Sequence, residues 1–402
     1  MNTDGHGYES SPPAFGHPLP IRWGEGRGER HPCESVSIRG FNCTLFLFAS
    51  LILFLPLLLN AAPSGRQFIG WTDFRKFTRS TNASGEVEWL APKTKCRPAD
   101  ELIPSWNAEL EPDGWLRVEL RAFHADKPTK FYDLGHWSRD PALHPRESIK
   151  GQKDGDGDVD TDTLQLLAPA DAFQLKLTLG PATNAARLKL LSIAAMDTRT
   201  SPTPRASLRS VWGKPPLPVP QRSQCAYPEG ISKWCSPTTT SMMLAFWSQK
   251  LNRPELDFDV PDVARAIHDT TWNGTGNWAF NMAFAGAQPG IRGVVTRFDD
   301  VRELEEWVAS GHPVGISLCS NRLRGKDTPA SGHLVVCVGF SPDGSVILNN
   351  PGSLLDTQKT YSRERFIHSW AYSKNAVYLI YPEGAKLPRD KFGHWTMGRN
   401  TH

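Results

Sequence analysis

The chain is poor in the features that would assign it to several large classes. Seven cysteines in 402 residues are too few for a disulfide scaffold. Lys and Arg (45) barely exceed Asp and Glu (42), a formal charge of +3 with no long basic run, so nucleic acid is not an implied partner. There is no HExxH, no CxxC and no paired-histidine spacing; zinc is therefore not expected, and no other cofactor is either. No Walker-type glycine-rich loop and no internal repeat appears. What is present fits a globular protein of two domains or three, at roughly 100–200 residues each. Apolar residues make up 39% and charged residues 22%, which excludes a wholly disordered chain. With 33 Gly, 33 Pro and 14 Trp, the composition suits sheets and turns better than a helical bundle.

Residues 45–59, LFLFASLILFLPLLL, carry no charge. The run is short for a spanning helix, which needs about 20 residues, but it suits the apolar region of a secretory signal. Arg39 precedes it, and Asn60-Ala61-Ala62 offers small residues for cleavage. A long preamble containing Glu9, Glu25, Glu29 and Glu34 is unusual ahead of a signal. Either translation starts downstream of Met1 or the run is an uncleaved anchor, a buried core helix being the remaining reading. Residues 1–62 are thus read as a leader. The rest is expected outside the cytoplasm, periplasmic or secreted, with membrane contact only through such an anchor. Five cysteines then remain, an odd count that leaves a free thiol or an intermolecular bridge.

Residues 63–197 read as an all-β, sandwich-like domain. WLRVELRAF (115–123) and FQLKLTLG (173–180) alternate apolar and polar residues, and ARLKLLSIAAM (186–196) continues the pattern. Its tryptophans, Trp71, Trp89, Trp106, Trp115 and Trp137, could form a carbohydrate-stacking platform, but core and edge packing is the preferred reading. Asp154, Asp156, Asp158, Asp160 and Asp162 alternate in a way that could ligate calcium. An EF-hand loop, however, would need Gly and Glu where Val159 and Gln165 stand, so an acidic turn is the simpler account. Residues 198–218, rich in Pro, Ser and Arg, read as a linker, and 386–402 as a C-terminal tail.

Residues 219–385 carry helical patterns first (234–251, 260–270, 299–310) and strand patterns after Gly311 (313–320, 332–340, 345–350, 376–382), an α+β order. Three residues there suggest chemistry. Cys235 opens a helix, where unpaired amides and the dipole favour a thiolate and predict a lowered pKa. His333 heads a strand after Gly332 and could serve as base. Asn350 closes the next strand, past the Pro342-Asp343-Gly344 turn; the hairpin brings it beside His333, where an amide could fix the imidazole's tautomer. An oxyanion donor would be a glutamine side chain acting with the Cys235 N–H, Gln224 before Gln221. His268, His312 and His368 lack a strand-end amide to orient them. Cys319 and Cys337, on neighbouring strands, are read as buried thiols rather than a bridge.

SQCAYPEGISKWCSPTTTSMML (223–244), SGHLVVCVGF (331–340) and SVILNNPG (345–352) together resemble the papain-like cysteine peptidases related to the bacteriocin-leader (double-glycine) processing family, in a stand-alone exported form. The resemblance spans 219–382. It implies a papain-like fold with Cys235 as nucleophile, His333 as base, a Gln upstream, and Asn350 in the family's Asp position. An Asn there orients the imidazole but cannot neutralise its positive charge. Without a Walker loop, the double-glycine leader specificity is not carried over. The expected function is an exported cysteine peptidase acting through an acyl-enzyme on a peptide or protein substrate, as a monomer. Two alternatives stand beside it: a cell-wall peptide amidase or transpeptidase, and a catalytically degenerate exported binding protein.

Overall fold

The computed structural model describes residues 65–181, 186–326, 328, 332–390 and 393–397. The leader 1–62, with its apolar run, lies outside the described residues; among these no helix is long and apolar enough to cross a membrane.

The alternating runs of the first domain form β1 (Arg66–Trp71), β2 (Thr78–Thr81), β3 (Val87–Leu90), β4 (Thr94–Glu109), β5 (Trp115–His124), β6 (Lys127–Pro128), β7 (Tyr132–Ser138), β8 (Gly157–Asp160), β9 (Thr163–Gly180) and β10 (Arg187–Met196). The sandwich-like expectation takes the form of one curled sheet. Its two longest strands explain the curl. The first half of β9 pairs with β4 and β8, and its second half pairs with β5 and β3. The β4–β9 ladder breaks twice, between Lys95↔Ala172 and Ala99↔Ala170, where Pro98 stands, and between Ala99↔Ala170 and Glu101↔Gln165, where Pro169 stands. Proline donates no ladder hydrogen bond, and such irregularities bend a sheet. Leu116, Val118, Leu120, Leu175 and Leu177 are fully buried inside the curl, while Arg117 and Lys176 between them face out. Of the five tryptophans, Trp106 and Trp137 are core; Trp71, Trp89 and Trp115 are half-buried.

The second domain comprises α1 (Cys235–Leu251), α2 (Val260–Ala266), α3 (Trp278–Ala287), β11 (Ile291–Arg297), α4 (Val301–Ala309), β12 (Val314–Cys319), α5 (Ser320–Leu323), β13 (Gly332–Phe340), β14 (Val346–Asn349), β15 (Gln358–Tyr361), α6 (Arg363–Trp370) and β16 (Ala376–Pro382). Its antiparallel sheet runs β11-β16-β12-β13-β14-β15. The helix starts are set by side-chain caps: Asp259, Asn277, Asp300 and Ser362 each accept a backbone N–H of the first turn. α1 stops at Asn252, which adopts the left-handed conformation (φ 52°) that asparagine tolerates. Its first turn contains Pro237, which removes one of the donors a helix start leaves unpaired.

Three features tie the domains together. Residues 198–218 lie along the second domain: Leu208 N–H and Trp212 Nε1–H donate to the fully buried Glu305, which Arg363 also meets at 2.8 Å. Residues within the predicted tail form β17 (Trp395–Met397), which pairs in parallel with β1. The third tie is charged. Glu101 of β4 is paired with Arg297 of β11 at 2.8 Å and with Lys374. Arg297 and Glu101 are both nearly inaccessible, so removing one leaves the other uncompensated. Glu101→Ala is expected to cost about 3–5 kcal/mol of stability in a denaturant titration. A loss below about 1 kcal/mol, the surface-pair range, would show that this pair carries no such weight.

Candidate active site

Cys235 is the first residue of α1, after Trp234, whose carbonyl accepts the Thr238 N–H and whose side chain makes no cap. The Cys235 and Ser236 amides are therefore directed at whatever lies beyond the helix start. Behind them, Ser236 Oγ and Tyr378 Oη lie 2.8 Å apart and anchor the first turn to β16. The Leu334 backbone N–H also reaches the thiol, so the sulfur sits at the residue that follows His333 on β13. α1 and β13 thus bring Cys235 and His333 to one place. Cys235, His333 and Asn350 are all half-buried.

Asn350, just past β14, has its Oδ1 2.8 Å from His333 Nε2. The same Oδ1 accepts the Gly352 N–H at 3.0 Å, while Asn350 Nδ2 lies 2.9 Å from Tyr361 Oη. A backbone N–H can only donate, so it fixes which amide atom is the oxygen. His333 Nε2 must then carry the proton, and Nδ1 is left as the basic nitrogen. Gly352 packs closely here: a β-carbon would approach His333 Cε1 at 3.2 Å and Asn350 Oδ1 at 3.3 Å, so either side chain would have to give by a few tenths of an ångström.

Burial pushes the Cys235 thiol above its ordinary value of 9.0; the amides of Leu334, Ser236 and Cys235 itself pull it back without reversing the direction. This corrects the lowered pKa expected from a helix start, because desolvation of the anion outweighs three amide donors. Burial also lowers His333 below 6.5, opposed by the Asn350 hydrogen bond and reinforced by the charge of Arg324. Burial thus opposes charge on both groups.

Gln224 is buried at the start of a short 3-10 turn (Gln224–Ala226), and its N–H donates to the Pro351 carbonyl at 3.0 Å, next to Asn350. Its side-chain Oε1 is buried without a partner. Gln221 is exposed, and its Oε1 accepts the Gln358 N–H at 3.3 Å. The structure therefore draws Gln224 toward the site and holds Gln221 on β15. The other histidines lie elsewhere: His312 is packed between Trp247 and Trp307, His268 follows α2, and His368 is exposed on α6. Cys96, Cys225, Cys235, Cys319 and Cys337 are free thiols. Cys319 pairs with Gly332 and Cys337 with Val314, at opposite ends of the β12–β13 ladder, which is too far apart for a bridge.

The acidic run does not converge on one point. Asp154 Oδ1 accepts the Tyr132 hydroxyl and the Asp156 and Gly157 amides, whereas Asp162 accepts the Trp278 N–H at the start of α3. Among the described residues one acidic group with a histidine, Asp299, Glu303 and His394, has ligand atoms within 4.8 Å of one another. Arg66 lies 3.6 Å from Asp299 and Arg205 3.8 Å from Glu303, so these carboxylates already face two guanidiniums. Missed from sequence were α3, β11 and the contributions of Tyr361 and Gly352. α3 reads WAFNMAFAGA, apolar on every side, so no amphipathic period marks it.

Residues 66–198 match the family model described as "Peptidase C39 N-terminal domain", and residues 216–378 match "Peptidase_C39 like family". Among solved structures, a C39-like peptidase from Bacillus anthracis aligns at 16% identity over 44% of this chain and 100% of that one, with a TM-score of 0.32. No curated protein matches the chain.

Proposed function

The chain carries a Peptidase C39-like domain behind a Peptidase C39 N-terminal domain, and from that premise we propose that it is an exported cysteine peptidase using Cys235, His333, Asn350 and Gln224. The observation that carries this reading is the oriented imidazole, whose Nε2 faces Asn350 Oδ1 at 2.8 Å. The free Nδ1 takes the thiol proton as sulfur attacks the peptide carbonyl carbon. The oxyanion so formed is met by the Cys235 N–H and the Gln224 side-chain amide. When the C–N bond breaks, the imidazolium returns the proton to the leaving amine. Water then attacks the thioester, giving its proton to Nδ1, and the thiol is restored. Export rests on the apolar run 45–59 alone. The direct test is digestion of a diverse peptide mixture by the full chain, read by mass spectrometry. New termini absent with Cys235→Ala support the reading, and an unchanged mixture overturns it. Muropeptides in the same assay separate a general peptidase from a cell-wall amidase.

Two variants examine Asn350. A carboxylate beside an imidazole favours the charged form, so Asn350→Asp is expected to raise the His333 pKa by about 1 unit. The acid limb of kcat/KM moves to higher pH by the same amount, because the base must be neutral; an unmoved limb would remove Asn350 from contact with the base. Tyr361→Phe removes the hydroxyl beside Asn350 Nδ2 and loosens the amide. A fall of about tenfold in kcat with little change in KM is expected, the size of an outer hydrogen-bond loss.

A further inference from the structure

The first domain contains a cavity of about 340 Å³ on the outer face of its sheet, the lower end of the range that holds small ligands. Its floor follows from strand register. His136, Arg117, Thr178 and Glu88 form one row across β7, β5, β9 and β3. Trp115 lies opposite Gly180 in the row beside it, and Glu119 opposite Lys176 on the other side. Gly180 lets the indole lie against the strand, since a β-carbon there would meet the ring at 2.4 Å. The segment carrying His144 and Glu147 forms the wall, with the His144 ring centred 6.0 Å from that of Trp115.

The cavity contains both signs of charge, held in place by one another. Arg117 is paired with Asp133 at 2.7 Å, Lys176 with Glu119 at 2.8 Å, and His136 Nε2 lies 3.0 Å from Asp133. Among the described residues, the Trp115 indole N–H, the Glu88 carboxylate and the His144 ring nitrogens have no hydrogen-bond partner. Four carboxylates line it, Glu86, Glu88, Glu119 and Glu147, which disfavours an anion. Three of them are already engaged, Glu86 by Asn82, Glu119 by Arg117 and Lys176, and Glu147 by the His136 ring, and a cation would also meet Arg117 and Lys176. A neutral molecule rich in hydroxyls suits fixed donors and acceptors of both kinds, and the C–H face of a sugar ring suits an indole. We propose that this cavity binds a neutral saccharide unit, with Trp115 as stacking surface and Glu88 and His144 as polar contacts. The site is independent of the chemistry at Cys235.

The test is calorimetric titration of the full chain with chitotetraose, cellotetraose and maltotetraose, and with spermidine as the cationic competitor. Saturable binding of at least one saccharide is expected, weakened by about tenfold in Trp115→Ala and retained largely in Trp115→Phe. Glu88→Gln and His144→Ala change side chains on the cavity's outer surface, and they carry the test if Trp115→Ala fails to fold. No binding by any of the three saccharides, binding unaffected by all these variants, or spermidine binding in their place would each overturn the assignment.

Discussion

Cys235→Ser is expected to lower kcat/KM by about 10⁴-fold or more with the fold unchanged, the scale on which losing a nucleophile acts. Serine fits the first position of α1 and can receive the same amides, but a hydroxyl in this setting is a far poorer nucleophile than a thiol. The pH profiles of the wild-type protein give a sharper prediction. Burial pushes the thiol up and the imidazole down, so proton transfer is expected to accompany attack rather than to precede it. Iodoacetamide, which reports thiolate, should label Cys235 slowly at neutral pH and faster into the alkaline range. Peptide hydrolysis needs only neutral imidazole, so its acid limb falls below pH 6.5. The two profiles should therefore separate. Coincident profiles with fast labelling in acid would mean a resting thiolate–imidazolium pair and would overturn this expectation.

The second large effect concerns stability. Asp162, between β8 and β9, is buried against the second domain, with Oδ2 at the Trp278 N–H and Oδ1 3.0 Å from Thr163 Oγ1. Burial raises its pKa from 3.8 to about 7, and the Trp278 and Thr163 hydrogen bonds only partly oppose this. A raised carboxyl means that the folded protein holds a proton the unfolded chain has lost. Stability from this group is thus greatest in acid, falls as pH rises from about 4 to about 7, and stays low above that. A shift of this size corresponds to about 4 kcal/mol. Asp162→Asn keeps an acceptor for Trp278 and removes the buried charge. It should stabilise by a few kcal/mol at pH 8, change little at pH 4, and flatten the slope between them. Denaturant titrations at those two pH values decide the matter. Equal destabilisation at both would show that the carboxylate is a net asset at the helix start.

Much of the candidate site could be read from local signals. Cys235 before Ser-Pro marks a helix start, Gly332-His333 opens an apolar strand run, and Asn349-Asn350-Pro351 ends the next one. A hairpin with one turn is a short-range object, so the nearness of Asn350 to His333 follows from chain distance, while the register itself is shifted by a bulge between Cys337 and Gly339. The α+β order of the second domain and the alternation of 115–123 and 173–180 were equally local, since period and turn residues are properties of neighbouring positions.

What tertiary structure decided depends on groups far apart in sequence. Whether a helix-start thiol is raised or lowered turns on how much surface covers it, and β13 covers Cys235. The imidazole tautomer rests on Gly352 holding Asn350. α3 is apolar all round because both cores claim it: Phe280 packs with the first domain's Trp106 and Met282 lies in the second domain's core. Trp115 resembles its fellow tryptophans in sequence; Gly180 lets its ring lie against the strand, half-buried at the cavity that the core residue Trp137 also lines. Periodicity reports which face of an element is buried; which partner buries it, and what that does to a charge, is settled only when the domains pack.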